Sequence, residues 1–170
     1  MAKELNSICD PNTYESVFNE HAKNLKRFLY FKFNDLSAAE DVLQETFIKL
    51  WDSCKEVTLE KVKSYLYTIA NNKFLNIKKH EKVIRAYEEY PVSDRTNESP
   101  EFLIIEEEFL EKIEKAIAGL PEKQREVFLL SRIEKMKYSQ IAEQLSISKI
   151  AVEKRMHNAL KSMRSKIGNI

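Results

Sequence analysis

Glycine, proline and cysteine are all scarce in this chain of 170 residues, which contains two glycines, four prolines and two cysteines. With so few turn-forming residues and no alternating runs of Val, Ile and Thr, the sequence excludes a β-rich fold and predicts an all-α protein. Cys9 and Cys54 form no CxxC pair and indicate no disulfide framework. A reducing compartment fits that cysteine usage.

Apolar segments long enough for targeting or for crossing a membrane are also missing. The start, residues 1–6, lacks the apolar core of a signal peptide, and no apolar run approaches a membrane span. We therefore expect a cytoplasmic protein without direct membrane insertion. No metal-ligand cluster, phosphate-binding glycine loop or nucleophile elbow occurs, and His21, His80 and His157 are scattered. The sequence thus predicts neither an enzyme nor a cofactor, metal or small-molecule substrate.

Charge is distributed in blocks, although the formal net charge is only +1. Residues 60–87 carry seven cations and two anions, a net charge of +5, and residues 137–170 carry the same numbers. Residues 88–111 between them carry nine anions and one cation, a net charge of −8. Two basic blocks on one chain favour two nucleic-acid contacts. The alternative is that these are solvated faces whose charges happen to cluster.

The most informative stretch is residues 120–166. Its pattern predicts a helix opened by Leu120-Pro121-Glu122, with Pro121 at the first helical position, and a short helix over 138–145. After a break, Ser148 is a good N-cap for a long basic helix over 149–166. An apolar seam crosses the break, formed by Ile141, Ala142, Leu145, Ile147 and Val152. This pattern is typical of a helix-turn-helix, whose second helix enters the DNA major groove.

Three helices are predicted in the N-terminal half of the chain. The first covers residues 14–33, and the second begins at a Ser37–Glu40 capping box. The third covers residues 60–82. The predicted inward side chains of the first two are Val17, Phe18, Leu25, Phe28 and Leu29, then Ala39, Leu43, Phe47, Leu50 and Trp51.

A polar, breaker-rich segment over residues 90–100 predicts a linker between two small helical domains. Ser99-Pro100 is expected to cap a helix that runs to Ala118, with Gly119 in the left-handed position that ends it. The predicted units are an N-terminal domain over 8–88, an acidic linker over 89–106 and a helix-turn-helix domain over 107–170.

Three segments resemble one family in the right order. Residues 41–51, Asp-Val-Leu-Gln-Glu-Thr-Phe-Ile-Lys-Leu-Trp, resemble the core-polymerase-binding helix of bacterial sigma factors of the extracytoplasmic-function (ECF) group. Residues 64–73 are similar to the helix that reads and melts the promoter's minus-ten element, and residues 120–163 to the domain that reads the minus-thirty-five element. Val152-Glu153-Lys154 and the Ser-Tyr-Leu-Tyr run are most similar to forms abundant in Bacteroidetes.

The resemblance implies an alternative sigma factor, which is not an enzyme. Its implied partners are core RNA polymerase, promoter DNA and an anti-sigma factor. The residues that it implies for core polymerase binding are Asp41, Gln44 and Glu45. Those for the minus-ten element are Lys63, Asn72, Lys73, Asn76 and Lys79. Those for the minus-thirty-five element are Ser148, Lys149, Glu153, Lys154, Arg155, His157 and Lys161.

Several points stay open at this stage. A stand-alone helix-turn-helix regulator with a helical sensor domain and a helical adaptor that binds only protein are the competing functions. Tyr65 and Tyr67 could stack on bases, although an inward position is expected for at least one of them. The acidic linker is either a solvated tether or a segment that occupies a basic channel of the polymerase. Ser146 stands where the family's turn usually has Gly, and Lys137 where a hydroxyl cap is common.

Overall fold

The structure is a computed structural model that describes residues 7–85 and 104–168, with side chains described for residues 7–80 and 109–168. Within these ranges it contains helices and no strand, which confirms the all-α prediction. The helices are α1 (Pro11–Phe33), α2 (Leu36–Asp52), α3 (Leu59–Arg85), α4 (Ile104–Ala118), α5 (Glu122–Arg132), α6 (Tyr138–Gln144) and α7 (Lys149–Ile167). Most of the predicted linker, including Ser99-Pro100, lies outside the described residues.

Helices α1 and α2 begin at aspartate caps that the sequence pattern did not single out. The Asp10 carboxylate accepts a hydrogen bond from the Thr13 backbone N–H at 2.9 Å, so α1 begins three residues earlier than predicted. The Asp35 carboxylate accepts from the Ala38 N–H at 3.2 Å, so the predicted Ser37–Glu40 capping box is wrong. The Glu40 side chain instead forms an ion pair with Lys26 at 2.6 Å.

Helices α1, α2 and α3 bury a common core in which the Phe28 and Tyr67 rings meet edge to face, with centroids 5.1 Å apart. The predicted inward residues Phe18 and Trp51 lie at its rim, since 42% and 43% of their surfaces are exposed. The Trp51 ring packs edge-on against Tyr14 at 5.0 Å. The prediction that Trp51 fills the core is therefore wrong, because α2 turns it away from the side that carries Leu50.

Cys9 and Cys54 form a disulfide, with their Cα atoms 5.0 Å apart. The expectation that the two cysteines indicate no disulfide is therefore wrong, and the cysteines no longer favour a reducing compartment. They are 45 residues apart, and only the packing of the N-terminal turn against the end of α2 brings them together. Such long-range pairing leaves no local signal in a sequence.

Helices α4 to α7 bury the C-terminal part of the same hydrophobic cluster. Ile141 and Val152 are fully buried in the seam predicted for the helix-turn-helix, and Ala142, Leu145 and Ile147 pack against them. The turn between α6 and α7 places Ser146 in the left-handed region at φ 52°, the conformation for which the family's turn uses Gly. Pro121 was predicted at the first helical position, but it is the N-cap of α5, which begins one residue later at Glu122.

Gly119 does not have the left-handed conformation predicted for it, because its φ is not positive. Its missing side chain leaves room for a lysine instead. The Lys166 ammonium lies where a Cβ would stand and donates to the Gly119 carbonyl oxygen at 3.1 Å. This contact fastens the end of α7 to the end of α4.

The two helical units touch each other directly through α1, which packs against α4 and α5. The Arg125 guanidinium donates to backbone oxygens of Ile117 and Leu120 at 3.0 and 2.9 Å and of Lys32 at 3.3 Å. One side chain thus satisfies carbonyl groups at the ends of α4 and α1. None of the described helices is both long and apolar enough to span a lipid bilayer.

Candidate nucleic-acid interface

Helix α7 presents the most open basic face among the described residues. The Ser148 hydroxyl accepts from the Ala151 N–H at 3.1 Å, which confirms the predicted cap. Val152, Met156, Ala159 and Met163 are buried at helical spacing and hold one side of α7 against the core. The opposite side of the helix is therefore left to solvent along its whole length.

The predicted base-reading residues of α7 are all on the surface. Lys149, Glu153, Lys154 and His157 are exposed. Lys149 and Glu153 form an exposed ion pair at 3.8 Å, so part of the Glu153 charge is compensated before DNA arrives. With 100° of rotation per residue, Lys154 and His157 point directly away from the core, whereas Lys149 and Glu153 lie on one flank.

The other residues predicted for the minus-thirty-five element differ in availability. Lys161 is exposed on the outward side of α7, where a cation can meet a phosphate. Arg155 is half-buried, and the Ser148 hydroxyl is occupied by the cap. These two positions are therefore less free for DNA than the sequence pattern suggested.

Helix α3 divides its predicted minus-ten residues into two groups. Asn72, Asn76 and Lys79 are exposed and share the C-terminal half of the helix. Lys63, in the N-terminal half, forms an ion pair with the Glu134 carboxylate at 3.0 Å and donates to the Glu134 carbonyl oxygen at 3.1 Å. Lys73 pairs with Glu45 of α2, which was predicted to bind polymerase. This ion pair thus joins a residue of the predicted minus-ten site to a residue of the predicted polymerase-binding site.

Helix α6 touches the N-terminal half of α3 through one residue, Gln144. The Gln144 amide group donates to the Ser64 carbonyl oxygen at 3.1 Å and to the Thr68 hydroxyl at 2.9 Å, and its oxygen accepts from the Ser64 hydroxyl at 2.5 Å. Glu134, two residues after the end of α5, lies buried beside Lys63. The helix-turn-helix unit therefore lies against part of the helix that was predicted to melt the promoter.

A buried cation, Lys32, anchors this contact between the two units. Its ammonium pairs with Glu126 at 2.8 Å, bonds to the Asn71 side-chain oxygen and lies 4.6 Å from the Phe74 ring centroid. Burial lowers the pKa of Lys32, and the neighbouring Glu126 carboxylate opposes that shift. The spacing Leu25, Phe28, Lys32 places this lysine on the inward face of α1, a signal that the sequence analysis missed.

The tyrosines of α3 are both turned at least partly inward, as expected for one of them. Tyr67 is buried, and Tyr65 is half-buried. Burial, together with the nearby negative charge of Glu134, raises the pKa of the Tyr67 hydroxyl. Tyr67 therefore serves the core and not base stacking.

The outer face of α2 carries the predicted polymerase-binding residues Asp41, Gln44 and Glu45, all of them exposed. The same face also carries Ile48 and Trp51, which are 61% and 43% exposed. An apolar strip beside carboxylates suits a protein partner better than a solvated surface. The sequence signal for Ile48 is its position outside the inward pattern of Leu43, Phe47 and Leu50.

Within the part of the chain that the structure describes, no three His, Cys, Asp or Glu side chains form a group that could hold a metal ion. The arrangement thus consists of one open basic helix, one partly covered basic helix and one mixed apolar and acidic helix face. These are surfaces for macromolecules.

Comparisons with known proteins agree with this arrangement. The family described as Sigma-70 region 2 matches residues 17–87, and Sigma-70, region 4 matches residues 110–163. The chain is 31% identical over 150 residues to the ferric citrate uptake sigma factor FecI of Escherichia coli, covering 87% of each chain. It is 27% identical over 139 residues to the ECF RNA polymerase sigma factor SigM of Bacillus subtilis, covering 80% of this chain and 83% of that protein.

Two solved structures share the fold. The sigma factor RpoE of Bartonella quintana, solved with the anti-sigma factor NepR, matches with a TM-score of 0.71 and 18% identity over 91% of this chain and 96% of its own. CnrH, solved with the cytosolic domain of CnrY, matches with a TM-score of 0.67 and 18% identity over 92% and 88%. With both sigma-70 regions in the family's order, this chain belongs to the extracytoplasmic-function sigma factors, the alternative sigma factors that bind core RNA polymerase and direct promoter-specific transcription initiation.

Proposed function

We propose that this sigma factor reads its promoter with two helices, α7 at the minus-thirty-five element and the exposed C-terminal half of α3 at the minus-ten element. The observation that carries the proposal is the open outward face of α7, with exposed Lys154, His157 and Lys161 behind a Ser148 cap. A helix held on one side by its core and basic on the other fits the major groove.

At the minus-ten element, Asn72 and Asn76 supply side-chain amides that can hydrogen-bond the edge of an unpaired base, and Lys79 supplies a cation for phosphate. Lys63 and Lys73 belong to the same predicted surface, but each must leave a carboxylate before it meets DNA. Their contribution to DNA binding is consequently smaller than that of lysines without such partners.

For core polymerase binding we propose the outer face of α2, with Asp41, Gln44 and Glu45 supplying polar contacts and Ile48 and Trp51 supplying apolar area. Glu45 has first to release Lys73. The functional units are the proposed domains over 8–88 and 107–170, with the acidic segment over 89–106 as their connection.

We also propose that the protein works in the cytoplasm and is held by an anti-sigma factor when inactive. The two solved structures that share the fold each contain a second protein, an anti-sigma factor in one case and the cytosolic domain of CnrY in the other. The Ile48 and Trp51 strip on α2 is the apolar area that such a partner can cover.

The test is reconstitution with core RNA polymerase on a promoter library whose two elements are randomised. The proposal expects transcripts from a defined subset of templates only when the chain is present, and a matched variant with Asp41→Lys and Gln44→Ala should lose them while keeping its helicity. A stand-alone regulator would shift DNA without polymerase and yield no such transcripts. An adaptor would bind protein and select no DNA. Either result would contradict the proposal.

A further inference from the structure

Ile150 occupies an unusual place for a large apolar side chain. It is 76% exposed, more than any other large hydrophobic residue among those described; the next, Ile48, is 61% exposed. It lies in the first turn of α7, two residues after the Ser148 cap. Its neighbours Ile147 and Val152 pack in the helix-turn-helix seam, so the core is complete without it.

The position of Ile150 on the helix distinguishes it from an ordinary exposed apolar residue. Single exposed apolar side chains are common on protein surfaces and need no special explanation. Ile150, however, precedes Lys154, His157 and Lys161 by four, seven and eleven residues, so all four lie along the line opposite the buried side of α7. Ile150 is the apolar member of this otherwise polar stripe, at the end of the helix that reaches deepest into a major groove.

The DNA major groove offers a matching apolar group. Of the base edges that it exposes, thymine alone carries a C5-methyl group, and apolar side chains read thymine by contact with it. A β-branched side chain on a helix is already fixed at χ1, so little conformational freedom is lost on contact. We propose that Ile150 is a specificity-determining residue that contacts a thymine methyl in the minus-thirty-five element. This inference rests on the proposed role of α7.

The geometry assigns complementary tasks along the stripe. Ile150 selects one thymine by its methyl group, Lys154 in the next turn meets a base acceptor, and Lys161, two turns further, meets phosphate. Because Ile150 makes no contribution to the core, its replacement leaves the fold of α7 intact. Its effect is therefore confined to one base pair.

The experiment uses the full chain with core polymerase. First, a randomised minus-thirty-five element is selected for transcription. Then each thymine of the selected element, on either strand, is replaced singly by deoxyuridine, which lacks only the methyl group. The wild-type chain should lose about fourfold in promoter affinity at one position, the equivalent of one buried methyl group. Ile150→Ala should bind the thymine template about as weakly as the wild type binds the uracil template, and should not distinguish the two.

Two controls make the outcome decisive. Lys161→Ala should weaken both templates equally and keep the thymine preference, and thermal unfolding of Ile150→Ala should match the wild type. If the holoenzyme makes specific transcripts but no uracil substitution alters affinity, the inference about Ile150 is wrong while the proposed function stands. The inference is also overturned if Ile150→Ala lowers promoter affinity by the same factor on the thymine and the uracil template. Such a result would mean that Ile150 contacts protein and not the thymine methyl group. If no specific transcripts form at all, the proposed function itself fails.

Discussion

Helices α3 and α7 are both basic and both proposed to read promoter DNA, but their basic residues differ in how far they are exposed. Helix α7 is held on one side by the core, and its outward residues Lys154 and Lys161 are exposed. Helix α3 is held on one side by its core and is covered on part of the other, where Glu134 pairs with Lys63 and Gln144 bonds to Thr68.

The two helices therefore differ in how many contacts within the chain must break before they can bind DNA. Helix α7 can meet the major groove without any rearrangement of the chain. In the N-terminal half of α3, Lys63 becomes available only when it leaves Glu134, and Ser64 and Thr68 only when Gln144 of α6 releases them. The free energy of these contacts opposes both steps. The exposed C-terminal half, with Asn72 and Asn76, escapes this requirement.

The largest expected effect comes from breaking the buried ion pair that anchors the two units. Glu126→Ala leaves the Lys32 ammonium buried without its carboxylate, because only 2% of the Lys32 side chain and 14% of the Glu126 side chain are exposed. We expect a loss of about 3–5 kcal/mol in the free energy of unfolding, measured by urea titration. The double change Lys32→Met with Glu126→Leu should recover much of that loss.

The matched control is the exposed pair of Lys26 and Glu40, whose side chains are 41% and 45% exposed. Glu40→Ala should cost less than about 1 kcal/mol, since solvent screens this pair. Similar losses for Glu126→Ala and Glu40→Ala would show that the Lys32 contact does not anchor the units.

The next effect concerns the open helix. Lys154→Ala should relax preference at one or two positions of the minus-thirty-five element, at a cost of about 1–3 kcal/mol for the correct sequence. Lys161→Ala should lower affinity evenly and reduce the slope of log affinity against log salt by about one. Selection from a randomised element with each variant checks this. An altered consensus for Lys161→Ala and an unchanged one for Lys154→Ala would reverse the orientation of α7.

A smaller effect should come from uncovering α3. Gln144→Ala removes three hydrogen bonds to Ser64 and Thr68, and because these groups are partly exposed we expect a total of about 1 kcal/mol in stability. Combined with Glu134→Gln it should increase the radius of gyration of the free chain in X-ray scattering. Glu143→Gln, on the same helix, should leave it unchanged. Identical scattering from all variants would mean that other contacts hold α6 in place.

The smallest effect is a pH dependence at the same junction. Burial lowers the pKa of His21, and Lys63 lowers it further, while Glu20 and Glu134 raise it. The folded state therefore binds fewer protons than the unfolded state, in which His has a pKa of about 6.5. Stability should be complete above that pH and should decline as the pH falls through and below it. His21→Gln should flatten this decline, which denaturant titrations between pH 5 and pH 8 can measure. If the free energy of unfolding falls equally steeply with pH in the variant, a group other than His21 causes the decline.

Local patterns account for what the sequence predicted well. Ser148 was predicted as a cap because a hydroxyl before an amphipathic run satisfies free N–H groups, and it does so. The helix-turn-helix seam followed from the apolar positions on the two sides of the predicted break, among them Ile141 and Val152. The Bacteroidetes likeness and the assignment of individual site residues stay predictions.

Features that depend on distant parts of the chain were not predictable in this way. Trp51 was placed in the core because its spacing continues that of Leu50 and Phe47, but it lies on the flank of α2, where 43% of its surface stays exposed. The pairing of Cys9 with Cys54 and the pairing of Lys63 with Glu134 arise only after the helices pack. Spacing along one helix carries no information about which residue of another helix it meets.

The most direct measurement is footprinting of the holoenzyme on its selected promoter, with permanganate to detect the melted bubble and nuclease protection to detect minus-thirty-five contact. We expect separable defects. Asn72→Ala should keep the upstream protection and lose most permanganate-reactive thymines, whereas Lys154→Ala should lose upstream protection and still melt a promoter when polymerase is in excess. Variants that lose both signals together, or wild-type protein that gives neither, would contradict the assignment of the two elements to two helices.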